Sequence, residues 1–236
     1  MSRSSHSTLP FRRHLCAVLA LCACTQAQAG RPMVVDDAVL TSPGHCQVES
    51  WIQHTATQLE RWAVPACNVG GQWELAAGMG HIGPEGAAAY LYGVVQAKTV
   101  FHPLQRNGWG LGLTIAHQFR QGEGLAGDLS AIVPLSVSLL DDQVLLHMNG
   151  GWIHTRAGRD KGFAAAGAEW SLLPALSLTL EAYGTQHGHA FAQAGLSYTL
   201  IPDRLALDAG VGRNIGRAGG EHYVTAGLTL TGPGLR

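Results

Sequence analysis

Apolar residues alternate with small or polar ones throughout the second half of the chain. Eight segments of this kind follow one another between Trp109 and Leu230. In one of them Leu176, Leu178 and Leu180 share a face, while serine, threonine and glutamate occupy the opposite positions. A period of two is the signature of a β-strand with two different faces.

The alternation predicts twelve strands in all, with no amphipathic helix between them. They span about 46–53, 58–65, 71–80, 87–101, 107–119, 128–140, 144–155, 162–173, 175–185, 189–201, 204–214 and 222–231. Pro134 falls inside the sixth segment, where a proline marks a bulge or a shorter strand. The fold class is therefore all-β.

The polar face is unusual for a sheet that meets water, because it is rich in glycine and poor in lysine and glutamate. Small residues suit the crowded interior of a narrow barrel. Aromatic residues near the strand ends share the apolar face, as in the aromatic girdles of outer-membrane barrels; they are Trp73, Trp109, Phe119, Trp152, Trp170 and Tyr198. These features favour an antiparallel up-and-down transmembrane β-barrel over a soluble β-sandwich, which has the same period.

The connections alternate in length, which orients the predicted barrel. Tight turns at 141–143, 174–175 and 202–204 alternate with longer, glycine-rich or charged links at 120–127, 156–162, 186–189 and 215–222. Tight periplasmic turns and longer outer loops are typical of bacterial outer-membrane proteins. An even number of strands then places both termini in the periplasm.

The N-terminus carries an export signal. Basic residues at 12–14 precede an apolar stretch at 15–24, and Ala27-Gln28-Ala29 offers small residues for cleavage before Gly30. The alternative is a lipobox at 21–24, which would leave Cys24 lipidated. We therefore divide the chain into a signal peptide (1–29), an extended periplasmic segment (30–45) and an outer-membrane β-barrel (46–236).

Composition excludes other functional classes. Charged residues make up 13% of the chain, against roughly 25% in ordinary soluble domains. No basic patch indicates a nucleic-acid partner. After signal cleavage two cysteines remain, Cys46 and Cys67, and in the oxidising periplasm such a pair is expected to form a disulfide. The predicted topology places both at the periplasmic side.

The parity of the strands also predicts which polar residues face the lumen. They are Glu49, Glu74, Lys98, His147, Asn149, Glu169, Glu181, Gln193 and Asp208. Two interpretations stay open. The carboxylates could line a weakly cation-favouring pore or ligand tunnel, or the lumen could be plugged, with its charges paired to one another and to the N-terminal segment.

Catalytic and metal-binding chemistry has little support in the sequence. His187-Gly188-His189 is a weak two-ligand motif, so no metal or cofactor is expected. Ser136 and Ser138 face His147 only if the strand register brings them together, and no nucleophile-elbow motif is present. An outer-membrane enzyme that modifies lipid is thus an alternative rather than the expectation.

Short segments near the N-terminus resemble a known group of proteins. Residues 31–38, 46–51, 64–68 and 74–75 resemble uncharacterised proteobacterial outer-membrane β-barrel proteins, similar to the transporters assigned to phenol degradation of the meta-pathway type. The resemblance implies a channel or uptake role and transfers no site residues. This chain departs from that pattern in its non-aromatic C-terminus and short outer loops.

We therefore expect an outer-membrane barrel, not an enzyme, that serves as a passive channel or uptake protein for small, hydrophobic or aromatic compounds. A closed structural or adhesive barrel without a pore is the main alternative. The expected partners are outer-membrane lipid and lipopolysaccharide, the barrel-assembly machinery and an unidentified small solute.

Overall fold

The computed structural model describes residues 33–124, 126–156, 158–186, 188, 190–215 and 220–232. The signal peptide, the question of Cys24, and His187 and His189 lie outside these residues. In the described ranges no helix is long and apolar enough to cross a membrane.

The chain forms twelve strands, as the alternation predicts. They are β1 (Cys46–Thr55), β2 (Gln58–Asn68), β3 (Trp73–Pro84), β4 (Tyr90–His102), β5 (Trp109–Arg120), β6 (Asp128–Leu139), β7 (Val144–His154), β8 (Lys161–Leu173), β9 (Leu176–Thr185), β10 (Ala190–Ile201), β11 (Leu205–Asn214) and β12 (His222–Gly232). Every predicted strand is confirmed, with differences of only a few residues at the ends.

The strands form one closed antiparallel barrel. Each strand pairs with its neighbours in the chain, and β12 pairs with β1 from Cys46 opposite Gly232 to Thr55 opposite Tyr223. Closure satisfies the backbone groups that an open edge would expose. We call the end at which β1 begins and β12 finishes the terminal end, and the other the opposite end.

The outer wall is apolar and carries aromatic residues near both ends. Trp73, Trp109, Trp170 and Tyr198 lie toward the terminal end and Trp152 toward the opposite end, all with 42–51% of their surface exposed. Phe119, also near the opposite end, lies over Gly93 of the adjacent strand. An apolar wall with two aromatic belts fits a lipid bilayer rather than water.

Pro134 does not bend or shorten β6. The strand keeps one register with β5 on both sides of the proline, from Leu111 opposite Leu135 to Thr114 opposite Ile132. Only the pairs in between are missing, because proline has no N–H to donate to the ladder. The expectation of a bulge or a shorter strand is therefore wrong.

A disulfide joins Cys46 to Cys67, as the sequence predicts. The two residues are direct cross-strand partners on β1 and β2 at the terminal end. Nearby, the N–H of Gly44 donates to the carbonyl of Asn68 at 2.7 Å, and the N–H of Asn68 donates to the carbonyl of His45 at 3.0 Å. These contacts fix the point at which the N-terminal segment meets the barrel wall.

Candidate functional site in the barrel interior

All nine polar residues predicted to face the lumen lie on the inner face of the wall. Eight are buried, namely Glu74, Lys98, His147, Asn149, Glu169, Glu181, Gln193 and Asp208, and Glu49 is half-buried. Several are cross-strand partners, as Glu74 is of Lys98 and Glu181 is of Gln193. Burial of so many polar groups requires partners inside the barrel.

Much of that partnership comes from the N-terminal segment, residues 33–45. The sequence analysis placed residues 30–45 in the periplasm as an extended segment. Its described part bends at Val34, Val35 and Ala38 and runs inside the barrel from the terminal end. Side chains of eight consecutive strands contact it: Asn68, Glu74, Lys98, Thr114, Ser136, Asn149, Ala165 and Glu181.

The backbone of this segment is held by side chains because it joins no sheet. The carboxylate of Glu181 accepts the N–H groups of Val34 at 2.9 Å and Val35 at 2.8 Å. The N–H of Asp36 donates to Oδ1 of Asn149 at 2.7 Å, and Nδ2 of Asn149 donates back to the carbonyl of Asp36 at 2.8 Å. Every amide from Val34 to Val39 has a side-chain acceptor, which meets the demand of buried backbone groups.

An ion cluster anchors the middle of the segment. Nζ of Lys98 lies 2.7 Å from Oδ1 of Asp36 and 2.6 Å from Oδ1 of Asp37. The hydroxyl of Thr114 donates to the second oxygen of Asp36 at 2.6 Å. Both the lysine and Asp37 are almost fully buried, so neither charge has water as an alternative partner. Short bonds between opposite charges are the strong class of hydrogen bond.

The tip of the segment is held by apolar contacts instead. Met33 and Val35 form a small buried cluster with Ala165, and the rings of Phe163 and Tyr183 pack against it. Gly167 makes room for the tip, since a Cβ there would lie 2.4 Å from the terminal methyl of Met33. Residues 33–45 therefore run through the lumen from the terminal end as far as Phe163 and Tyr183, held by both polar and apolar contacts.

The register does bring Ser136 and His147 together. They are cross-strand partners on β6 and β7, and Oγ of Ser136 lies 2.8 Å from Nδ1 of His147. The N–H of Ala38 also donates to that oxygen at 2.8 Å, and the exposed fractions of the serine and the histidine are 0% and 1%. The pair is thus covered by the N-terminal segment, where no lipid chain can reach it.

Aromatic rings line the inner wall closer to the opposite end. Trp51 and Trp62 stack with centroids 5.6 Å apart, and Trp62 and Tyr92 stack at 6.4 Å. Gly80 on β3, the strand between Trp62 and Tyr92, permits this, because a Cβ there would lie 2.6 Å from the ring of Trp62. Across the lumen, Tyr183 stacks on Phe191 at 5.6 Å.

A cavity of about 450 Å³ opens beside this aromatic wall at the opposite end. Trp62, Ile82, Tyr90 and Tyr92 supply its apolar surface. The polar lining comprises Gln58, Glu60, Gln118, Arg120, Glu123, Asp128 and Arg156. We call this cavity the vestibule. The lining thus combines four apolar or aromatic side chains with seven polar or charged ones, and the volume falls in the usual range of small-molecule sites.

A larger shallow depression, of about 1300 Å³, crosses the wall over β8 to β12. Most of its lining side chains are outward-facing and small or aliphatic, including Ala166, Ala182, Ala192 and Val211. This depression therefore belongs to the lipid-facing outer wall. Among the described residues no group of histidines, cysteines and carboxylates could hold a metal ion.

The inward aromatic residues are the part of the site that the sequence analysis missed. Trp51 and Trp62 share parity with Glu49 and Glu60, which are polar and inward, whereas only aromatics on the apolar face were considered. The same parity argument applied to β1 and β2 would have found them.

Comparison with known proteins identifies a family that covers most of the chain. A family model described as "Uncharacterised conserved protein UCP029691" matches residues 17–231. No curated protein matches the chain by sequence.

Solved structures with the same architecture are outer-membrane proteins. The KdgM porin is 7% identical, with a TM-score of 0.63 over 78% of this chain and 98% of its own. The NanC porin is 10% identical, with a TM-score of 0.60 over the same shares. The COG4313 outer membrane channel from Pseudomonas putida F1 is 11% identical, with a TM-score of 0.59 over 84% of this chain and 98% of its own. Identities this low establish a shared fold alone.

Proposed function

This chain belongs to that family of uncharacterised conserved proteins, and we propose that it is an outer-membrane channel for the uptake of small hydrophobic or aromatic compounds. At rest the channel is closed by its own N-terminal segment. Its barrel has the fold of the porins with which it was compared.

One observation carries the proposal: the lumen has an open cavity at one end and contains a segment that enters from the other. The vestibule is the cavity, and residues 33–45 are held in the lumen by non-covalent contacts. A purely structural barrel needs neither a cavity lined by aromatic rings nor a separable segment. An uptake channel uses the first to admit a solute and the second to prevent leakage.

The solute class follows from the lining of the vestibule. Trp62, Ile82, Tyr90 and Tyr92 present apolar and aromatic surface to the cavity, which favours planar, hydrophobic molecules. The resemblance of the N-terminal motifs to transporters assigned to phenol degradation supports the same class. The solute itself is unidentified.

The location and orientation are also proposals. An apolar outer wall with aromatic belts suits outer-membrane lipid and lipopolysaccharide, and insertion of such a barrel requires the barrel-assembly machinery. In this orientation the short turns face the periplasm, so both termini and the Cys46–Cys67 disulfide lie in the periplasm. The vestibule then opens to the exterior.

Conductance and solute flux test the proposal directly. The exported protein is reconstituted in planar bilayers and liposomes, beside a variant that lacks residues 33–43. We expect small, infrequent openings from the complete protein and a large steady conductance from the deletion variant. Liposomes with the deletion variant should release trapped phenol faster than empty liposomes do.

The alternatives predict different results. A closed structural or adhesive barrel would remain non-conducting after the deletion, although it still migrated as a folded barrel on gels. A lipid-modifying enzyme would turn over phospholipid or lipid A and lose that activity in His147→Ala. We expect no such turnover, since His147 lies beneath the N-terminal segment.

A further inference from the structure

The vestibule contains a guanidinium group that forms no salt bridge with any described residue. Arg120 finishes β5 on the inner face, and its Cζ lies 3.8 Å from the ring centroid of Tyr90. Among the described residues the guanidinium makes this ring contact and forms no salt bridge. Stacking holds the plane of the guanidinium and leaves its N–H edge available.

The carboxylates of the vestibule, by contrast, already have donors. Glu60 accepts bonds from Nε2 of Gln58 at 2.7 Å and Nε1 of Trp62 at 2.8 Å. Glu123 pairs with Nη1 of Arg156 at 2.7 Å, and Asp128 accepts the backbone N–H of Arg156 at 3.0 Å. Each of the three acids thus has at least one donor, whereas the guanidinium of Arg120 has no hydrogen-bond acceptor among the described residues.

Aromatic surface lies next to that cation. Tyr92 is the cross-strand partner of Arg120, and Tyr90, Tyr92, Trp62 and the buried Ile82 line the same cavity. A small molecule could pack a flat apolar ring against this wall and place its polar substituent next to the guanidinium. The substituent that matches the fork of an arginine is a carboxylate, because two parallel N–H···O bonds form at once.

We propose that the vestibule is a binding site for small aromatic carboxylic acids, with Arg120 as the carboxylate-binding residue and Trp62 and Tyr92 as the wall for the ring. This inference rests on the proposed uptake function, which it narrows from hydrophobic or aromatic compounds to aromatic anions.

Equilibrium dialysis tests the site without requiring transport. The exported protein, purified in detergent, is titrated with benzoate, phenol and benzylamine, which share a ring and differ in the charge of the substituent. We expect benzoate to bind most tightly. Arg120→Gln should weaken benzoate binding at least about tenfold, since a charge-assisted bond is lost, and should change phenol binding less than twofold.

Matched variants exclude general effects of charge. Arg213→Gln removes the same charge near the same end but on the outer wall, and should leave benzoate binding unchanged. Arg120→Lys keeps the charge without the fork and should recover part of the affinity. Heat-modifiable migration confirms that each variant is a folded barrel.

Three results would overturn the proposal. They are benzoate binding no tighter than phenol binding, benzylamine binding tighter than benzoate, or unchanged benzoate affinity in a folded Arg120→Gln protein. The flux measurement tests the uptake function independently of the binding measurement. Benzoate binding without solute flux would refute the channel and keep the site, whereas flux without binding would refute the site and keep the channel.

Discussion

At the scale of single residues, the position of the N-terminal segment depends on charge. Lys98 contacts Asp36 and Asp37, and both Lys98 and Asp37 are buried. A buried pair of opposite charges adds little over apolar packing, but removal of one partner is costly because the other charge stays buried. The Lys98 cluster should therefore control whether the segment stays in the lumen.

Replacement of Lys98 by methionine is expected to release the segment. Two carboxylates would lose their cation, which shifts the docking equilibrium by about 3 kcal/mol, or more than a hundredfold. The open-channel conductance in planar bilayers should rise toward that of the deletion variant. Lys161→Met is the matched control, because Lys161 begins β8 at the opposite end; equal conductance of the two variants would contradict this role.

The sequence contains the parts of this cluster but not their contact. Asp36-Asp37 is an acidic pair in a segment without periodicity, and Lys98 is a lone base on a predicted inner face. Their opposite charges could have indicated that the acidic pair binds the lysine. Which residues meet, however, depends on closure of the barrel, since Asp36 also contacts Thr114 and Asn149 on other strands, and no local pattern encodes that arrangement.

At the scale of elements, local patterns were sufficient for the wall. Each strand shows its period of two within its own length, and the tight turns punctuate it, so strand positions and faces could be predicted one at a time. The path of residues 33–45 could not, because this segment forms no strand and most of its bonds are to side chains, which lie on β2 to β9.

A small residue on one strand leaves room for an aromatic ring of the neighbouring strand. Gly80 offers a test of this effect. A Cβ there would meet ring carbons of Trp62 at 2.6 Å. Gly80→Ala should displace the indole, cost about 1–3 kcal/mol of stability and weaken the near-ultraviolet circular dichroism of the stacked tryptophans.

Gly150→Ala is the control for that substitution, because nothing lies within 4 Å of a Cβ at this position on β7. Its unfolding temperature and near-ultraviolet spectrum should match those of the parent. If the Gly80 and Gly150 variants behaved alike, the proposed contact between Gly80 and Trp62 would not matter to the fold.

The N-terminal segment can also be locked in place as an element. The N–H of Ala38 bonds to Oγ of Ser136, and we expect cysteines introduced at these two neighbouring positions to form a disulfide. The oxidised double variant should show lower conductance and slower phenol flux than the parent, and reduction should restore both. The parent with reductant is the control, since reduction also opens Cys46–Cys67.

At the scale of the whole molecule, a closed barrel with an apolar wall sets its orientation and its gel behaviour. The folded protein should fractionate with outer membranes and should migrate differently before and after boiling. A native protein found mainly in the soluble periplasmic fraction would contradict the membrane location.

The orientation can be tested with single cysteines at opposite ends. Arg159 lies in the β7–β8 connection and Gln105 in the β4–β5 connection, and both are exposed. In intact cells a maleimide too large to pass the outer membrane should label Arg159→Cys and spare Gln105→Cys. The reverse labelling would place the termini outside the cell.

The attachment at Cys46 limits how far the N-terminal segment can move from the lumen. The root of the segment is held to the wall by the Cys46–Cys67 bond and by the ladder of β1. A segment released from the lumen therefore stays attached to the barrel. Stretched out, the chain from Met33 to the root reaches only about 40 Å. A tether of that reach keeps the free end at an effective concentration in the millimolar range. Closure is thus intramolecular, and each barrel recloses at a rate independent of how many copies the membrane holds.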